Sequence, residues 1–120
     1  MKVGIVGNRT GWTYEDVKQK LVKYGINKSD IIISGGAQGV DTYAEDFAKE
    51  IGAECVIYHP DPDTPSPQRY YNRNKKIVAQ CSKLIAFDNK KHSGTLNTIN
   101  YARKLGKKII IVRNVTDGFY

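Results

Sequence analysis

The stretch "IIISGGAQGVD", Ile31 to Asp41, decides how the rest of the chain reads. Three consecutive isoleucines suit a strand buried on both faces. Ser34 leads from them into Gly35, Gly36 and, two residues on, Gly39. From there Val40, Ala44, Phe47, Ala48 and Ile51 recur at helical spacing, and Gly52 ends the helix they predict. A strand that turns through glycines into a helix leaves free N–H groups at the helix start. Glycines let an anion approach those donors, and the helix dipole favours its charge. The spacing G-G-x-x-G is neither the dinucleotide fingerprint nor a phosphate loop ending in G-K-[ST]. The plainer alternative is a tight strand–helix turn in which Asp41 only complements the helix dipole.

Outward from this stretch, strand and helix signals alternate. Strands are expected over residues 2–6, 31–34, 55–58, 84–87 and 108–112. Helices are expected over 13–24, 40–51, 69–81 and 94–105, with Thr13 as N-cap of the first and Asp16 completing a weak capping box. All four prolines fall in "HPDPDTPSP", residues 59–67, an extended loop within one unit. Short, continuous apolar strands separated by helices predict an α/β fold: a three-layer, Rossmann-like sandwich with a five-stranded parallel sheet. Ligands of such sheets bind beyond the carboxyl ends of the strands.

At 120 residues the chain is expected to be a single domain spanning residues 1–120. Its longest aliphatic runs, Ile31–Ile33 and Ile109–Val112, are too short to span a membrane, and "MKVGIVG" lacks the apolar stretch of a signal peptide. Cys55 and Cys81, well separated, are read as reduced thiols of a cytoplasmic protein. No metal or cofactor is expected, since His59 and His92 are isolated and no Cys/His cluster occurs. The net charge of +7 is uneven: residues 1–60 carry seven Lys/Arg against eight Asp/Glu, and residues 61–120 carry twelve against four. A basic half suits an anionic partner, a phosphorylated small molecule or nucleic acid, although a solvated lysine-rich surface would look the same.

Two further segments converge on the edge where the glycines lie. "HSGTLNTINYA", residues 92–102, again follows a strand and sets Ser93, Gly94 and Thr95 at a helix start, for phosphate binding or for simple N-capping. "RYYNRNKKIVAQC", residues 69–81, puts Arg73 on the first turns of a helix leading into the fourth strand, where a guanidinium suits phosphate. Tyr70 and Tyr71 beside it could stack on a base or belong to the core.

Taken together, V6-G-N-R-T, S34-G-G-A-Q-G-V-D-T-Y-A, R73-N-K-K-I-V-A and S93-G-T-L-N-T-I-N-Y-A resemble the SLOG superfamily, over roughly residues 3–112. That group includes DprA-type DNA-processing proteins and LOG-type phosphoribohydrolases, and the likeness is nearest to its small YspA/YpsA-related branch. The resemblance implies a nucleotide or nucleotide-derived ligand. It also implies the residues that bind it: Gly7, Asn8 and Arg9 in the first loop, Ser34, Gly35, Gly36, Gly39 and Asp41 in the second, Arg73, and Ser93, Gly94 and Thr95. LOG-type enzymes carry a catalytic glutamate in P-G-G-x-G-T-x-x-E, and here that position is Thr98, which cannot act as an acid or base at neutral pH. Binding without catalysis is therefore expected. The alternatives are DprA-like single-stranded DNA binding, for which Lys75, Lys76, Lys90 and Lys91 would supply a track, and nucleoside monophosphate N-glycosidase action. A homodimer is expected, and no membrane partner.

Overall fold

The β-branched runs become strands and the amphipathic stretches between them become helices, in strict alternation. In chain order these are β1 (Lys2–Gly7), α1 (Tyr14–Lys23), β2 (Ile31–Ser34), α2 (Val40–Ile51), β3 (Glu54–Ile57), α3 (Gln68–Gln80), β4 (Lys83–Phe87), α4 (Ser93–Lys104) and β5 (Lys108–Val112). The structure, a computed structural model, describes residues 1–89 and 93–113; Lys90, Lys91, His92 and residues 114–120 lie outside the described residues.

Local chemistry sets the boundaries. Thr13 caps α1 with a full reciprocal box: its hydroxyl accepts from the Asp16 N–H at 3.1 Å, and Asp16 Oδ2 accepts from the Thr13 N–H at 3.0 Å. The box is therefore stronger than the sequence suggests. Helix α2 stops at Gly52 in the left-handed conformation, as its position implies. Strand β3 begins one residue earlier than expected, and Tyr58 just beyond it still donates to the Ser34 carbonyl.

All four strand pairs are parallel, and the sheet order is β3-β2-β1-β4-β5. Alternation along each strand divides the core into two layers. Val3 and Ile5 of β1 pack with Val17 and Leu21 of α1 and Phe47 of α2. Val6 and Ile33 face the other way, against Ile77 of α3 and Ile99 of α4. This is the Rossmann-like α/β sandwich anticipated from the alternation. The chain steps outward from β1 through β2 to β3, then crosses back to β4 beside β1. Helices α1 and α4, which follow β1 and β4, pack on opposite faces of the sheet, and a crevice opens at that switch point.

Candidate functional site

Asn8 fixes the first wall of the crevice. Its N–H donates to the Phe87 carbonyl at 3.1 Å, and its carbonyl accepts from the Val40 N–H at 3.3 Å. Its side-chain oxygen accepts from the Asn89 N–H at 2.8 Å and the Trp12 indole N–H at 3.3 Å, while its amide donates to Asp88 Oδ1 at 3.3 Å. One side chain thus ties the loop after β1 to the end of β4. Gly7 precedes it, with Val40 packed against its Cα, and the exposed Arg9 follows.

The glycine loop forms the second wall, and its small residues have an internal cause. A methyl on Gly35 would lie 2.5 Å from Arg73 Nη1 and 2.9 Å from Asp41 Oδ2. Arg73 Nη1 donates to the Gly35 carbonyl, and Arg73 Nε donates to Asn74 Oδ1 at 2.8 Å. A methyl on Gly39, whose φ of 77° already favours glycine, would lie 2.5 Å from the Arg9 carbonyl oxygen. At Gly36 the His59 ring closes in. What comes close to these glycines is the protein itself. Ser34 is fully buried: it donates to Glu45 Oε2 at 2.8 Å and accepts from the Gly36 N–H at 3.3 Å, bracing the loop from below.

Between these walls and α3 and α4 lies a half-open cavity of about 400 Å³. Of the residues implied by the sequence, Gly7, Asn8, Arg9, Asp41, Arg73, Gly94 and Thr95 line it. Ser34, Gly35, Gly36 and Gly39 do not; they build the seat on which Arg73 and Asp41 rest. Ser93 begins α4, whose first turn faces the cavity through Gly94 and Thr95. Tyr70, weighed above as a base-stacking or core residue, lines it too, as do Asn74 and Pro67, which the sequence reading did not single out. The signal for two of them was present: Tyr70, Arg73 and Asn74 stand three and four residues apart, on one helical face.

The electrostatics are lopsided. Asp41 is 5 % exposed, and burial pushes its carboxyl up to about 6, against the pull of the Ala37 N–H it accepts at 3.2 Å and of the Arg73 charge. Arg73 is 9 % exposed and, among the described residues, forms no ion pair. The guanidinium carbons of Arg9, Arg69 and Arg73 each lie 5.9 Å from the centre of the Tyr70 ring. Thr98, at the position of the LOG-type glutamate, is buried and donates its hydroxyl to the Gly94 carbonyl at 3.2 Å. The arrangement can hold an anion. Among the described residues no group of three His, Cys, Asp or Glu could hold a metal ion, and no helix is long and apolar enough to cross a membrane.

A family model, DNA recombination-mediator protein A, matches residues 55–118, just over half of the chain. No curated protein matches it in sequence. Among solved structures, DNA processing protein A of Streptococcus pneumoniae superposes with a TM-score of 0.80 at 22% identity, over 98% of this chain and 52% of that one. The Helicobacter pylori protein, solved for its single-stranded DNA binding mode, gives 0.65 at 23% identity, over 92% and 64%. A structural-genomics target gives 0.67 at 20% identity, over 90% and 71%. These likenesses establish the fold, and the chain spans between half and two thirds of the length of the two DNA processing proteins.

Proposed function

The chain belongs to the DNA recombination-mediator protein A family, within the SLOG superfamily, and on that footing we propose that its cavity binds a nucleotide by the phosphate. One observation carries this reading: Arg73 is a buried guanidinium in the cavity wall, outside any ion pair among the described residues. Burying a guanidinium costs several kcal/mol; the Gly35 carbonyl and Asn74 remove part of that cost, and the Asp41 carboxylate attracts the group without a direct ion pair. A phosphate opposite it adds an anion in direct contact and accepts the guanidinium fork. Arg9 adds a second cation at the mouth, and the first turn of α4 offers N–H donors through Gly94 and Thr95. We take residues 1–120 as one binding unit and assign it no catalysis, because position 98 presents a hydroxyl already engaged with backbone.

A second reading is favoured by the family match and by the basic second half, where Lys75 and Lys76 stand exposed on α3. In it the cavity takes one nucleotide of a single DNA strand whose neighbours run over that surface. Titrating mononucleotides and oligonucleotides of increasing length across a salt series tests both. Mononucleotide binding that Arg73→Ala abolishes supports the cavity. Oligonucleotide binding that is indifferent to Arg73→Ala, with no mononucleotide binding, would sink the proposal.

A further inference from the structure

Arg69, on the first turn of α3, does not line the cavity, yet its guanidinium sits as close to the Tyr70 ring as those of Arg9 and Arg73, which do. Since all three share one centre at 5.9 Å, no two of them are farther apart than twice that distance. The ring attracts each cation weakly, while the cations repel one another. Among the described residues none of the three is in an ion pair. The carboxylate that feels Arg69 is Asp61, whose oxygens already accept from the Asp63 N–H at 3.0 Å and the Thr64 hydroxyl at 2.9 Å. The Arg69 Nε is buried with no hydrogen-bond partner. A cation beside the cavity, with a buried donor unused and two further guanidinium groups around the same ring, suits a further anion.

We propose that Arg69 and Arg9 hold a second phosphate next to the one at Arg73, so that the ligand carries two linked phosphate groups. This rests on the cavity being a phosphate site, and it narrows the ligand class. The chemistry has two sources: the diphosphate of a free nucleotide, or successive phosphodiesters of a single strand. Tyr70 is the common support around which the three guanidinium groups gather.

Calorimetric titration tests it, with the 5′-mono- and diphosphates of adenosine, guanosine, cytidine and uridine. A second arm uses 5′-phosphorylated dithymidylate whose internal link is either natural or an uncharged methylphosphonate. At least one probe with two anionic phosphate groups should bind about tenfold more tightly than its counterpart with one, the gain expected of one charge-assisted contact. Arg69→Ala should erase that preference and leave the weaker probe's affinity unchanged, while Arg69→Lys should retain part of it. Preference among the free nucleotides assigns the site to a diphosphate; preference only for the natural dinucleotide assigns it to a strand. Wild type that binds monophosphates with no such preference overturns the second phosphate and leaves the cavity reading standing. An equal loss for single and double phosphates in Arg69→Ala also overturns it, making Arg69 structural. Wild type that binds none of the probes overturns both.

Discussion

Gly35 holds its place for the sake of Arg73. Its backbone is not left-handed, so alanine could adopt it; only the guanidinium and the Asp41 carboxylate stand in the way. Gly35→Ala should therefore cost about 1–3 kcal/mol through overpacking and should weaken nucleotide binding by displacing Arg73. In an Arg73→Ala background the same methyl meets fewer atoms, so the two costs should be coupled by about 0.5–3 kcal/mol. Strict additivity in urea unfolding would mean that Arg73 does not rest on Gly35. Asp41, the other neighbour, makes a pH prediction. Its carboxyl ionises near 4 in the unfolded chain and at about 6 in the fold, where burial raises it. Between those values the native state keeps a proton that the unfolded chain releases, so stability is fullest below pH 4 and falls as pH rises through 6. At about 1.4 kcal/mol per pH unit the loss approaches about 3 kcal/mol. Asp41→Asn carries no such titration. The stability of that variant relative to wild type should climb from pH 4 to pH 7, and a flat difference would refute the assignment.

Among the elements, α1 and α2 start in different ways, and the difference separates folding from binding. Helix α1 begins with a side-chain box whose residues do not line the cavity. Thr13→Ala should cost about 1 kcal/mol, the ordinary worth of an N-cap, with nucleotide affinity unchanged in the folded fraction. An affinity loss larger than the stability loss would tie α1 to the site. Helix α2 has no side-chain cap at Gly39; its first N–H goes to the Asn8 carbonyl, so its start is anchored to the loop after β1. Helix α3 contributes most to the cavity because its first two turns carry Tyr70, Arg73 and Asn74 on one face.

Across the whole molecule, charge and topology pull the same way. The crevice lies at the switch point between β1 and β4, and all of the basic excess belongs to the segment from residue 61 onward that supplies α3 and α4. That asymmetry sets the expected salt response in the titrations proposed above. A mononucleotide, too short to condense counterions as a strand does, should show only a shallow fall of log affinity with log salt. A strand tracking over Lys75 and Lys76 as well should be steeper by about 0.7 for each added phosphate contact, and Lys75→Ala with Lys76→Ala should flatten it.

The alternation of apolar runs and amphipathic stretches determined five strands, four helices and a parallel sheet, because periodicity and caps are written in neighbouring residues. It also marked the sheet edge where function was expected, since helix starts after strands lie at one end of such a sheet. What the glycines are for was not legible there. Arg73 reaches Gly35 across 38 residues of chain, and Asn8 reaches Asp88 across 80. Those meetings depend on the order of strands in the sheet, which no local pattern encodes. The same holds for Ser34, whose hydroxyl looks available in sequence and is buried beneath its own loop. Likewise, the gathering of Arg9, Arg69 and Arg73 around Tyr70 exists only once β1 and α3 are folded to the same edge. A sequence states which face a residue presents; packing alone decides what stands opposite it.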